Sequence, residues 1–491
     1  MTWAADHWFA IVLLILYTGV LLRNAWIGSR ASTGMAGYYV GNRNMGGIAI
    51  GISFYATFAS TNSYIGHAGK GYFYGLPWFF LAASLIVFTY LSWRFVGPRL
   101  RAFAASFDAL TIPDYLGTRF LGANDSERHP LRYVAALVIV FASLLYLIAI
   151  FKGAGHLFEQ FFSISYEAAV LVTLAIVVVY TSIGGFVSVV RTDVVQGVLM
   201  VVGAVMMFYF VTDAAGGVSV VAQLAEQPQK AHLFEFNGGI PFAIVVGISL
   251  SGALKLIVDP RQLSRYYALK NEQEAKRGMW IAILGLLIVQ ACIFPVGIYA
   301  HFLLEGVTDS DLIVPTLVVD PAVFPYWAGD FLIVAIVAAG MSSMDSVLLV
   351  AASTLFKNLL RPFVQTDREV QWTRLAVIGL AVVAALLAFK PPGDIVEITI
   401  FSGSLYAVCF LPAVLLGLHL QRGTATAVLA SMGVGVLTLI GWMISGLRES
   451  LHEVFPGLVA SVAVYWLFSM RAEPVNPQLP DTSAPESPVL R

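Results

Sequence analysis

Stretches of about 20 apolar residues, the length that carries an α-helix across ~30 Å of hydrocarbon at ~1.5 Å per residue, recur along this chain from end to end. Nothing constrains the fold more, because a backbone inside a bilayer must satisfy its own hydrogen bonds and therefore stays helical. Composition agrees: 58% of the 491 residues are hydrophobic and 12% are charged, which excludes a soluble globular domain. The formal net charge of −1 gives no reason to expect nucleic acid. Cys292 and Cys409 both fall inside apolar runs and suggest no disulfide framework. The eight histidines form no metal cluster and accompany no nucleophile motif, so an enzyme is not expected. His67 and His156 read as ordinary interfacial residues. No ring of charge or filter loop suggests a channel.

Apolar windows predict about thirteen spans, beginning near Trp8, Met45, Trp78, Tyr133, Ala168, Thr192, Pro241, Met279, Trp327, Trp372, Val396, Ala425 and Leu451. Alternate connections carry the Lys and Arg, among them Arg94, Arg99, Arg101, Arg261, Arg265, Lys357 and Arg361, and these are expected in the cytoplasm. The opposite set is richer in acids such as Glu226, Glu305 and Asp309. The N-terminus then lies outside and the C-terminus inside a plasma membrane, the bacterial inner membrane. The expected parts are an extra N-terminal helix with its loop (1–44), a first five-helix repeat (45–212), an outer connection (213–240), a second, inverted five-helix repeat (241–420), two C-terminal helices (421–470) and a disordered cytoplasmic tail (471–491).

Two spans are unlike ordinary membrane helices. Small and polar residues crowd the middle of the second, Ala56 to Ser63, and of the seventh, Gly247 to Gly252. Both are expected to be discontinuous, five helices apart, as the first helices of two inverted repeats would be. A break at membrane depth is tolerated where it lines a cavity or binds an ion. The competing reading is that these are close-packing residues of the small-xxx-small kind. A third segment, Ala339 to Ser346, places Ala339, Ser342 and Ser343 on one helix face. Two hydroxyls and a carbonyl suit a hard monovalent cation, although serines in membrane helices also bond back to their own carbonyls.

The run Tyr180-Thr181-Ser182-Ile183-Gly184-Gly185, followed by Arg191-Thr192-Asp193-Val194-Val195-Gln196-Gly197, resembles the signature of the sodium:solute symporter family. Tyr64-Ile65-Gly66, Asp259-Pro260-Arg261-Gln262-Leu263-Ser264-Arg265 and Ala339 to Ser343 fall in the same order as in that family. The resemblance covers all but the tail. It implies an all-α leucine-transporter-type fold and alternating access, with sodium as the coupling ion for uptake of a small organic solute, an amino acid or monocarboxylate being favoured. The implied main sodium site comprises the carbonyls of Ala56, Ala59 and Ala339 and the hydroxyls of Ser342 and Ser343. A second cation site is implied around Asp193, with Ser346. There the chain departs from the family by placing Asp345 where a hydroxyl is usual. Asp345 either shares a second cation with Asp193, pairs with Arg191 or Lys255, or reaches cytoplasmic water.

The resemblance points to Asn62, Ser63, Tyr146, Gly252 and Lys255 as solute residues. Lys255, near the cytoplasmic end of its helix, either snorkels to water or receives a carboxylate. The other readings are proton coupling, with Asp193 or Asp345 as carrier, and a transporter-like sensor working with a partner kinase. No obligate protein partner is evident.

Overall fold

The computed structural model describes residues 6–32, 34–122, 125–364 and 366–470. The tail 471–491, expected to be disordered, lies outside the described residues. The chain is a bundle of helices, and no strand forms among the described residues beyond one isolated bridge between Met45 and Leu269. Among the described residues ten helices are long and apolar enough to cross a membrane, and three shorter apolar helices, Gly47–Phe58, Ser310–Val319 and Val454–Met470, accompany them.

Burial sorts the helices into a centre and a rim. The most apolar window of Tyr326–Leu360 is 94% buried inside the protein, that of Ile395–His419 83%, and that of Trp8–Ala31 only 28%. The rim presents Ile15, Leu437, Ile444 and Val459 outward. That arrangement suits a surround of lipid, where exposed apolar side chains cost nothing. The central helices instead carry the buried polar residues, including Ser342, Ser343, Asp345, Ser346, Lys255 and Asp259.

The second span breaks where the sequence predicts. Gly47–Phe58 ends at Ala59, whose φ of −75° and ψ of 107° leave the helix, and a π-helical turn, Asn62–His67, leads into Ala68–Tyr74. The Asn62 N–H freed at the break donates to the Ser60 hydroxyl at 3.1 Å. The first half lies flat on Glu272–Phe302. A Cβ on Gly47 would come within 2.0 Å of the Glu274 carbonyl oxygen, and one on Gly51 within 2.5 Å of the Gly278 carbonyl oxygen.

The seventh span corrects the expectation. Phe242–Val258 runs unbroken through Gly247 to Gly252, and the chain leaves the helix only at Asp259. Its small residues serve close packing: a Cβ on Gly247 would meet His452 at 2.2 Å, and Ser251 bonds Ser404 at 2.8 Å. The break follows from Pro260, which disfavours helical geometry in the residue before it, and Asp259 then caps Pro260–Ala268 by accepting from the Arg261 N–H at 2.9 Å.

A further difference concerns the spans expected to begin near Ala168 and Thr192. They are two helices that meet at Gly185, inside Tyr166–Ala214, where a φ of 65° and ψ of −173° open to glycine leave the helix, so the second begins several residues before Thr192. The signature around Gly184 and Gly185 therefore marks a bend, with Ser32 and Tyr38 pressed against it.

Candidate functional site

The break in the second span faces the central helix Tyr326–Leu360. The Ser342 hydroxyl donates to the Ala56 carbonyl at 2.8 Å and to the Ala339 carbonyl at 3.0 Å. Ser343 reaches across at 2.8 Å to the carbonyl of Thr57, a residue the sequence did not single out. Ala59 sits buried at the break itself. Oxygens from two helices thus meet in the interior, and a donor set of carbonyls and hydroxyls is chemically suited to a hard cation.

Asp193, Ser346 and Asp345 do not share one centre of contact. Asp193 Oδ2 accepts from Ser53 at 2.6 Å and from Arg265 Nη2 at 3.0 Å. The same Arg265 nitrogen donates to Thr57 Oγ1 at 2.6 Å and to Ser346 at 2.5 Å. Asp345 turns the other way and accepts from Thr181 at 2.5 Å. Neither basic partner considered for Asp345 pairs with it. Arg191 is exposed, and Lys255 lies elsewhere. The basic residue that matters here is Arg265, delivered by the short helix that Pro260 starts. The sequence set Arg265 among the arginines expected in the cytoplasm, whereas it is fully buried here.

The five residues expected to meet solute lie on the turn after the break and on the helices around it. Tyr146 donates to the Ser60 hydroxyl at 3.0 Å, and Asn62 Nδ2 meets His67 Nε2 at 3.2 Å. Lys255 does not snorkel. Its side chain is buried, its Nζ donates to the Thr399 carbonyl at 2.8 Å, and it stands 4.5 Å from the Tyr146 ring centre. Gly252 lies against Leu81 and Ile400. Ser63 is buried on the π-helical turn.

Ser60 and His67 were missed. Ser60 joins Tyr146 to the break, and its place inside the polar run was the available signal. His67 is no interfacial residue: it is buried, stacks on Phe294 with ring centres 5.2 Å apart, and lies 6.0 Å from the Trp78 ring. Trp78 and Ile400 also line a cavity of about 360 Å³ with Lys70, Ile244, Glu397 and Arg448. Through Trp78 and Ile400 that cavity adjoins His67 and Gly252, so it lies next to the residues expected to meet solute.

Away from these contacts, Asp114 on the helix Ile112–Leu121 forms a clasp. It accepts from Arg132 at 2.7 Å, Lys357 at 2.5 Å and Asn358 at 3.1 Å, tying three segments together. Burial would raise its pKa, but the charges of Lys357 and Arg132 outweigh that and hold the carboxyl well below the usual carboxylate range.

The Sodium:solute symporter family pattern matches residues 38–435. The osmoregulated proline transporter of Bacillus subtilis is 30% identical over 471 residues, covering 94% of each chain. The sodium/pantothenate symporter of Haemophilus influenzae is 29% identical, covering 87% of this chain and 88% of its own. The sodium/proline symporter of Escherichia coli is 26% identical, covering 94% and 92%. Among solved structures, a sodium-coupled sialic acid symporter in an outward-open state superposes with a TM-score of 0.78 at 19% identity, over 95% of this chain and 99% of that one. A nucleobase-cation-symport-1 family transporter in a closed conformation gives 0.57 at 16% identity, over 88% and 94%. At those identities the likeness is one of fold.

Proposed function

This chain belongs to the sodium:solute symporter family, and we propose that its sodium is held between the broken second span and the helix of Ser342. It is a multi-pass membrane protein and a sodium-coupled symporter. The proposed ligands are the carbonyls of Ala56, Ala59 and Ala339 and the hydroxyls of Ser342 and Ser343. One observation supports this above the rest: the Ser342 oxygen lies 2.8 Å from the Ala56 carbonyl oxygen at the break of the second span and 3.0 Å from the Ala339 carbonyl oxygen of its own helix. A cation there draws both helices together and favours the state that accepts solute; its loss to a low-sodium cytoplasm frees them. Asp193 and Ser346 already share a positive group, Arg265, so this reading assigns them a structural ion pair rather than a second sodium.

The solute is read as a small carboxylate held near Tyr146 and Lys255, with Asn62, Ser63 and Gly252 shaping the space. Proline and pantothenate, for which similar proteins are named, both carry a carboxylate. This reading puts the N-terminus outside and the C-terminus in the cytoplasm, supported by the distribution of Lys and Arg. Sodium titration of solute uptake in proteoliposomes tests the site. Ser343→Ala should raise the half-activating sodium concentration without reducing the amount of inserted protein, and an unchanged titration would refute the assignment.

A further inference from the structure

Charge around the proposed solute residues does not balance. Two cations flank the Tyr146 ring, Lys255 Nζ at 4.5 Å and the Arg261 guanidinium at 3.9 Å from its centre. Arg261 is neutralised, because its Nε and Nη2 hold both oxygens of Asp259 at 2.6 to 3.1 Å. Lys255 has no such partner. It donates to the Thr399 carbonyl and makes no ion pair among the described residues. Asp259 is buried, and its carboxylate is already committed to Arg261 and to the Arg261 N–H. With Lys255 protonated, the cluster holds one surplus positive charge inside the bundle, a cost that an incoming anion removes.

Beside Tyr146 no free anionic group among the described residues awaits an ammonium, because the one carboxylate of this cluster, Asp259, is already held by Arg261. The opposite end is polar and uncharged. There Asn62 Oδ1 and His67 Nδ1 are buried without a hydrogen-bond partner among the described residues, although Asn62 and His67 bond each other. They supply one acceptor and one ring nitrogen, which suit a hydroxyl or amide.

We propose that the solute is a monoanionic carboxylate without an ammonium group, its carboxylate against Lys255 and Tyr146 and its neutral part toward Asn62 and His67. This rests on the reading that those residues form the solute site, and it separates the two solute classes which that reading leaves together.

The full chain in proteoliposomes, under an inward sodium gradient, is offered radiolabelled propionate, lactate, pantothenate or L-proline, with choline replacing sodium in a parallel arm. At least one monoanion should be taken up about tenfold better than proline, the factor one charge-assisted hydrogen bond supplies. Lys255→Gln should remove that advantage and Lys255→Arg keep much of it. A sodium-dependent rise in melting temperature shows that the Gln variant is folded, since the proposed sodium ligands do not include Lys255. Preference for proline, or monoanion uptake indifferent to Lys255→Gln, overturns the inference while leaving sodium symport intact. Monoanion uptake that persists in choline sustains the inference and removes the sodium assignment instead.

Discussion

The second and seventh spans begin from similar sequences and end as opposites. Both place glycine, alanine and serine in mid-membrane, yet one breaks at Ala59 and the other continues straight to Val258. What separates them is where the polar groups find partners. At the first break the freed groups meet hydroxyls: Ser342 on the Ala56 carbonyl, Ser343 on that of Thr57, and Ser60 on the Asn62 N–H. In the seventh span Ser251 faces Ser404, and Gly247 and Gly252 admit His452, Leu81 and Ile400, so the small residues are filled by neighbours. Small residues thus permit a break, and a second helix with hydroxyls makes it stable.

Changes in each span can break or sharpen that contrast. The largest effect is expected from Ser342→Ala with Ser343→Ala. Removing two hydroxyls from a cation should cost roughly 3 kcal/mol, which a sodium titration of uptake reads as about a hundredfold rise in half-activation. Next comes Gly47→Ala, whose new methyl meets a backbone carbonyl at 2.0 Å. Overpacking of that kind costs about 1–3 kcal/mol and should show as a lower melting temperature. In the seventh span Gly252→Ala meets only the side-chain tips of Leu81 and Ile400, at 3.1 and 3.3 Å, and should melt closer to the native protein. If the two glycine variants melt alike, close packing does not distinguish the spans.

Ser60→Ala should weaken solute affinity by a factor approaching ten, since Tyr146 and the Asn62 N–H both lose a partner, while the sodium titration moves less. Ser251→Ala is expected to cost only about 0.6 kcal/mol, the typical value of an interhelical hydrogen bond in a membrane, and to leave sodium activation unchanged. The Asp114 clasp belongs to neither span and supplies a control in pH. Because its carboxyl is held below the ordinary range, the stability it confers is full above the unfolded carboxylate pKa and is lost only as pH falls through the lowered one. The gap in melting temperature between the native protein and Asp114→Asn should therefore be equal at neutral pH and at about pH 5.

The helical class, the first break and the shared face of Ala339, Ser342 and Ser343 could be read from residues, because apolar length and helix-face spacing are local properties, whereas the meeting of Ala56 with Ser342 was implied by the family resemblance alone. The straight course of the seventh span could not, since His452 and Ser404, which fill its small positions, are distant in sequence. Its true break was nevertheless written in Asp259-Pro260. His67 shows the same limit. A histidine near the end of an apolar run looks interfacial until Phe294, from another helix, closes over it. Arg265 was visible as a residue and its partners were not, because Asp193, Thr57 and Ser346 come from three different helices.

The glycines between Gly47–Phe58 and Glu272–Phe302 have a mechanical corollary. With backbone pressed on backbone at Gly47 and Gly51, these two rods are glued along their length and can only travel as a single beam. Beyond the elbow of Ala59 and Ser60, Ala68–Tyr74 is pressed in the same way on Gly297, so the beam carries both halves of the broken span. The seat proposed for the ion is thus borne on that beam, and whatever steadies one stiffens the other.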